Sequence, residues 1–462
     1  MAGLLLIKTN LRRGPWSVKA IAGRRGGRLK DGMAHEDLAI AYGRGFMALT
    51  LPDGAQATVI RKAAPPKIAD QHGAVTDAFA RPIGCPPLAE LARGRKSACI
   101  LICDITRPVP NGLFLRPMIE TMVSSGIPIG NIVVLVATGL HRPNLGAELA
   151  ELVGDPWVLQ NVRVENHYAR NTEDHVDLGR TPTRGTRVVL NRLFVEAELR
   201  IATGLVEPHF MAGWSGGRKV VAPGVAGHET IRTFHSARFM EDPLAVQCNL
   251  VGNPLHEEQL QIVRMLGEIY ALNTVIDEDR DLVAVTFGEV IQSHLQAVDF
   301  IARAIRIPVG RRFKTVVTSS AGYPLDKTYY QTIKGMVTPL DILEPGGTLI
   351  IASECSEGFG SHEFREAQGR LVTLGPERFL ATLTAKSLAE IDEWQTEMQL
   401  KAMRVGRIQL YTRGLDAEEQ RITGVEMIAS VDAAIADSIA RHGDPAVAVI
   451  PEGPYVIPVS GA

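Results

Sequence analysis

Cysteine is scarce. Cys85, Cys99, Cys103, Cys248 and Cys355 are scattered through 462 residues, odd in number and without a CxxC pair. A disulfide frame and a zinc knuckle are excluded on that ground, and reduced thiols of a cytoplasmic protein are expected. No apolar run approaches the roughly 18 residues of a membrane-spanning helix. Neither sign of charge dominates: 49 Lys and Arg stand against 51 Asp and Glu, a net charge of −2. No global field therefore exists to hold nucleic acid or an anionic membrane. Charged residues make up 22% and hydrophobic ones 45%, which excludes wholesale disorder. Also missing are an HExxH pair, internal repeats and low-complexity tracts.

The N-terminus departs from this balance. Lys8, Arg12, Arg13, Lys19, Arg24, Arg25, Arg28 and Lys30 precede the first acid, Asp31. The apolar stretch 4–7 is too short for a secretory signal, and no long one follows Arg12-Arg13 for twin-arginine export. Residues 1–44 are expected to form a basic extension outside the core, with Met33 as an alternative start.

What is present is alternation. Apolar, β-rich runs recur at 98–103, 132–137, 188–190, 199–205, 282–287, 314–319, 348–352 and 446–450. Continuous runs of this length suit strands covered on both faces of parallel sheets. Helix-like stretches lie between them at 113–124, 254–266, 297–305 and 387–405. The order implies an α/β protein. Pro308-Val309-Gly310 and His442-Gly443-Asp444-Pro445 read as boundaries. An N-terminal α/β domain of residues 45–308 plus 445–462 and a smaller C-terminal α/β domain of residues 309–444 are expected, the strand at 446–450 returning to the first domain.

Ligand sites of open α/β sheets form beyond the carboxyl ends of strands, and three motifs lie there. Asp104-Ile105-Thr106-Arg107-Pro108 sends out an acid, a hydroxyl and a guanidinium. It reads equally as a capped turn with an Asp–Arg pair or as an anion-binding loop. Gly139-Leu140-His141-Arg142-Pro143 offers an imidazole that can carry a proton or bind metal, although a lone histidine is more often structural. Glu207-Pro208-His209 leads into Gly216-Gly217-Arg218-Lys219, a glycine loop whose N–H groups can wrap an anion. It is not a Walker A loop, since Arg218 precedes the lysine and Val220 follows it. Lys219 is then free as a phosphate partner or a covalent amine. His209 and His235, each taken alone, read as structural. A fourth motif, Tyr329-Tyr330-Gln331-Thr332-Ile333-Lys334, puts Tyr330 and Lys334 on one helical face with Gln331 beside them. That face suits an anion or plain solvent. Gly358-Phe359-Gly360 lacks the third glycine of a dinucleotide fingerprint, Glu363 standing in its place.

Together these motifs resemble the lactate racemase family over roughly residues 45–462, with Trp394 where the family places an active-site tryptophan. The resemblance implies two α/β domains with the active site in the cleft between them. It implies a nickel-dependent isomerase, a racemase or epimerase of 2-hydroxy acids by hydride transfer. Its cofactor would be a nickel-pincer nucleotide (pyridinium-3-thioamide-5-thiocarboxylic acid mononucleotide) tethered at Lys219 and made by cofactor-synthesis proteins. His235 would bind nickel, and Asp104, Ile105, Thr106 and Arg107 would line the cofactor. His141 and His209 would be the paired acid and base. Arg107, Tyr330, Gln331, Lys334 and Trp394 would hold the substrate. The alternatives are a nicotinamide-dependent 2-hydroxy acid dehydrogenase, which would also move hydride but lacks a complete GxGxxG loop, and a non-enzymatic anion-binding protein.

Overall fold

The computed structural model describes residues 38–63, 65–277 and 279–461, so most of the basic extension, Met33 included, lies outside the described residues. In chain order the strands of the two main sheets are β1 (Gln56–Val59), β2 (Ala98–Cys103), β3 (Ile132–Ala137), β4 (Arg163–Asn166), β5 (Leu199–Leu205), β6 (Tyr270–Ile276), β7 (Leu282–Glu289), β8 (Phe313–Ser319), β9 (Leu343–Ala352), β10 (Arg407–Tyr411), β11 (Glu426–Met427) and β12 (Ala446–Ile450). The first sheet runs β7-β6-β5-β2-β3-β4 and is parallel except for the edge strand β7. The second runs β11-β10-β9-β8-β12-β1 and is parallel throughout. This is an α/β protein of two parallel-sheet domains. Most of the expected apolar runs form interior parallel strands, and the five residues of β12 and the first five of β2 are all buried; the run at 188–190 instead forms a separate antiparallel pair with His175–Arg180, and 282–287 is the antiparallel edge β7.

Two expectations need correction. The strand at 446–450 does not return to the first sheet; it lies between β8 and β1 in the second. Only Ile457–Val459 turns back, pairing with Arg306–Pro308. An all-apolar strand fits the interior of either sheet, so its pattern carries no address. Residues 39–44 are not outside the core either. Ala39–Tyr42 forms a hairpin with Gly45–Ala48, and Ile40 is buried against Val317, Ile350 and Val431 of the second domain. The Gly43 N–H donates to Asp326 Oδ2 at 2.6 Å, fastening the hairpin's turn.

The helices that matter for the site are α1 (Arg218–Val221), α2 (His228–Phe234), α3 (Ala237–Met240), α4 (Tyr329–Val337) and α5 (Glu393–Val405). The helix expected at 387–405 starts only at Glu393, because Asp392 sits at φ 61 in the left-handed region and interrupts it. The domains share a core: Phe239 and Met240 of α3 are buried with Ile333 and Met336 of α4 and Trp394 and Met398 of α5. No described helix is long and apolar enough to cross a membrane.

Candidate active site

Strands β5, β2 and β3 are parallel neighbours, so the loops after them leave at one edge. Asp104 follows β2 and is 5% exposed. Its Oδ1 accepts the Thr106 hydroxyl at 2.5 Å and the Thr106 N–H at 3.0 Å, a tight turn that aims Arg107 outward. The Ile105 N–H donates to Asn144 Oδ1 at 3.3 Å, while its side chain packs against the first domain's core. Arg107 Nε lies 3.4 Å from Glu207 Oε1, which joins the β2 loop to the β5 loop.

Three histidines are distinguished by the partner of Nδ1. His141, on the β3 loop, has Nδ1 2.5 Å from Asp104 Oδ2, so this nitrogen carries the proton and Nε2 keeps a lone pair. The His141 side chain is 62% exposed and open to a ligand. Burial alone would raise the Asp104 carboxyl, but the His141 hydrogen bond, the Thr106 hydroxyl and Arg107 outweigh it and hold the carboxyl low. His209 is the reverse case. Its Nδ1 accepts the N–H groups of Met211 at 3.4 Å and Ala212 at 3.1 Å, so the proton sits on Nε2. Burial, then the charges of Lys219, Arg107 and Lys334, push its pKa well below the ordinary value. His235 ends α2 with Nδ1 2.8 Å from the Ile231 carbonyl, to which it donates; Nε2 is left as a ligand atom. Burial brings its pKa down to about 4, so that lone pair stays available at neutral pH.

The glycine loop folds as it does because side chains would not fit. Gly216 and Gly217 have φ of 77 and 48, and a Cβ on Gly217 would lie 2.8 Å from the His294 ring. The Gly217 N–H donates to Asn273 Oδ1 at 3.2 Å. Arg218 is fully buried. Its guanidinium reaches His294 Nε2 and the carbonyls of Ala212 and Trp214, each at 3.0 Å. It thereby ties the stretch after His209 to the start of α1, where Lys219 stands. Burial, then Arg107 and Arg218, lowers the Lys219 pKa to about 8.

The second domain closes the site. The Thr328 side chain caps α4 through the Gln331 N–H, and Tyr330 and Lys334 share a face one turn apart, as the spacing predicts. Burial, then Arg107, lowers the Lys334 pKa to about 7, with Glu207 opposing. Gln331 Oε1 is buried without a partner. Trp394 Nε1–H donates to the Tyr330 hydroxyl at 3.3 Å, and the Trp394 and His235 ring centroids are 4.5 Å apart. Arg107, Lys219 and His235 of the first domain and Tyr330 and Lys334 of the second thus lie within electrostatic reach of one another or of His209. Gly358-Phe359-Gly360 is structural, with Phe359 buried against Tyr329 and Phe364.

Sequence reasoning missed Glu207 as the counter-charge of Arg107, Arg218 as a buried clamp, and Asp392. The first two stood inside a recognised motif, but only the folded loop reveals their partners. Asp392 had no spacing signal at all. Among the described residues the one carboxylate triad close enough to share a cation, Asp277, Asp279 and Asp281, already faces Lys67 at 3.2, 2.7 and 2.7 Å.

Fold and site define a two-domain α/β protein with a histidine- and cation-rich centre where the domains meet. The chain belongs to the lactate racemase family: the lactate racemase N-terminal domain matches residues 42–247 and the lactate racemase C-terminal domain residues 311–458. It is 30% identical over 435 residues to the lactate racemase of Thermoanaerobacterium thermosaccharolyticum, covering 91% of this chain and 99% of that one. It is 31% identical over 394 residues to the lactate racemase of Lactiplantibacillus plantarum, covering 85% and 91%. The lactate racemase apoprotein structure from T. thermosaccharolyticum superposes with a TM-score of 0.82 at 28% identity, over 91% of this chain and 99% of that one. A Thermotoga maritima protein shares the fold at a TM-score of 0.63 and 16% identity, over 86% and 99% of the two chains.

Proposed function

We propose that this protein is a racemase or epimerase of a 2-hydroxy carboxylic acid, working by reversible proton-coupled hydride transfer. The observation that carries the reading is the convergence of His141 and His209, in opposite tautomers, on one cation-rich centre with Lys219 and His235. The residues fit the family's nickel-pincer nucleotide. His235 Nε2 is a free imidazole donor that suits nickel, and the depressed pKa of Lys219 makes its amine available for a tether. Asp104, Arg107 and Lys219 all lie within electrostatic reach of Cys103 at the end of β2, so the proposed tether and the β2 loop are neighbours. When bound, the group supplies a reversible acceptor for the C2 hydrogen and its electron pair, which avoids a carbanion beside the carboxylate.

The chain's own residues do the rest. Arg107 and Lys334 hold the substrate carboxylate, and the Gln331 side-chain amide donates to the C2 oxygen, whose own proton goes to His141. His141 Nε2 takes the C2 hydroxyl proton on one face while Asp104 fixes the ring. On the other face His209 acts as the acid only as an imidazolium, giving the Nε2 proton to the C2 oxygen as the hydrogen returns and remaining as the neutral ring. Burial first, and then the charges of Lys219, Arg107 and Lys334, keep the ring neutral in the empty site; a bound carboxylate offsets those charges, and the second proton, taken up at Nδ1, displaces the Met211 and Ala212 N–H groups.

The test is a chiral assay of nickel- and cofactor-loaded enzyme against a panel of 2-hydroxy acids. His141→Ala and His209→Ala should each lose roughly 10²–10⁴-fold in rate while retaining cofactor. Wild-type turnover in either variant would overturn the roles. Net oxidation dependent on added NAD would favour a dehydrogenase instead.

A further inference from the structure

Asp392 precedes α5 with φ 61 and ψ −3, a conformation disfavoured for any residue with a Cβ. Aspartate at this position commonly caps the helix; here its side chain makes no capping bond. The carboxylate turns to the site instead. Oδ2 accepts the Ser361 hydroxyl at 2.6 Å, and Oδ1 accepts the Tyr330 hydroxyl at 3.3 Å. A phenol has one proton. Because Tyr330 gives it to Asp392 and already accepts Trp394 Nε1–H, Tyr330 can only accept from anything entering the pocket. This narrows the expected role of Tyr330, which cannot donate to a carboxylate while so arranged. Backbone strain held by surrounding contacts concentrates at functional sites. Burial raises the Asp392 carboxyl, and Ser361 and then the charge of His141 pull it back, which puts Asp392 within electrostatic reach of that histidine.

We infer that Asp392 is a specificity-determining residue that makes the Tyr330 wall a negatively charged acceptor surface, admitting 2-hydroxy monocarboxylates with neutral, above all hydroxyl-bearing, tails and rejecting dicarboxylates. The inference rests on the 2-hydroxy acid reading above. One carboxylate is drawn to Arg107 and Lys334. A second, at the far end of the substrate, would meet Asp392 and a phenol with no proton to give. A hydroxyl tail meets an acceptor that it can satisfy. Without Asp392, the cations Arg107 and Lys334 would favour a dianion.

The test uses lactate, glycerate and malate, whose tails are apolar, hydroxyl and carboxylate. Turnover by the loaded enzyme and calorimetric binding to the apoprotein are both measured. Wild type should prefer glycerate and bind malate roughly 100-fold more weakly. Asp392→Asn should raise malate relative to glycerate about tenfold, chiefly through KM and apparent Kd. It should also move the Trp394 indole N–H resonance. Tyr330→Phe should abolish the advantage of glycerate over lactate while malate stays excluded. A wild type that binds malate as well as glycerate overturns the inference whatever the variants do, and so does an unchanged ranking in Asp392→Asn. Binding in the expected order without isomerisation of any acid supports the inference and counts against the isomerase reading.

Discussion

His141, His209 and His235 differ at one atom. Nδ1 meets a carboxylate in the first, two peptide N–H groups in the second and a carbonyl in the third. Those partners decide which ring nitrogen faces the site and whether it gives or takes a hydrogen. The lysines follow from charge crowding. Lys219, with its pKa near 8, should be acylated by an amine reagent at a rate that half-saturates near pH 8, whereas exposed lysines titrate near ~10.4; peptide mapping after labelling reads this directly. Lys334, with a folded pKa of about 7, lies below the unfolded lysine value, so between these values the unfolded chain binds more protons. Stability of the apoprotein should therefore rise as pH increases from 7 towards 10. Lys334→Met should flatten that rise and lift the melting temperature at pH 7 by a few degrees, while turnover is lost. A melting temperature that falls at pH 7 would contradict the assignment.

Elements, not single residues, hold the proposed nickel ligand in place. α2 and α3 belong to the chain of the first domain, yet Phe239 and Met240 are buried in a core with α4 and α5. Arg232 Nε donates to the Ala389 carbonyl at 2.6 Å, and Arg404 grips Glu241 at 2.7 and 2.9 Å. His235 is thus fastened from both sides. Phe239→Ala should cost about 3–5 kcal/mol in stability and also lower the nickel content of purified protein. Phe79→Ala, in the other core, should destabilise without loss of metal. Equal nickel retention in both variants would show that α3 does not position His235. Much of this scale was legible beforehand. The loops after β2, β3 and β5 stood out because chemistry-bearing residues followed apolar runs, and Tyr330 and Lys334 because helical spacing is local. β6 was not legible, since its buried Asn273 breaks the apolar run; its side chain serves the Gly217 N–H, Thr286 and Ser293. Asp392 was invisible because it falls inside the helix expected at 387–405, where a lone acid carries no spacing signal. Arg218 was read as part of an anion-wrapping loop, and only the folded chain shows that it is buried against carbonyls of its own loop.

At the scale of the whole molecule the chain passes between domains more than once. β1 and β12, far apart in sequence, are neighbours in the second sheet, and Ile457–Val459 ends against Arg306–Pro308. The two domains are therefore knitted by chain crossings as well as by side chains, and the proposed site draws on both. Arg107, Lys219 and His209 come from one, Lys334, Gln331 and Tyr330 from the other. The central claim is that this assembled site moves the C2 hydrogen with its electron pair and returns it to the same molecule's opposite face. Isomerisation of a single 2-hydroxy acid enantiomer by the loaded enzyme in D₂O, followed by chiral separation and mass spectrometry, tests it most directly. The account predicts product of inverted configuration that keeps its original C2 hydrogen; product carrying solvent deuterium at C2 would contradict it.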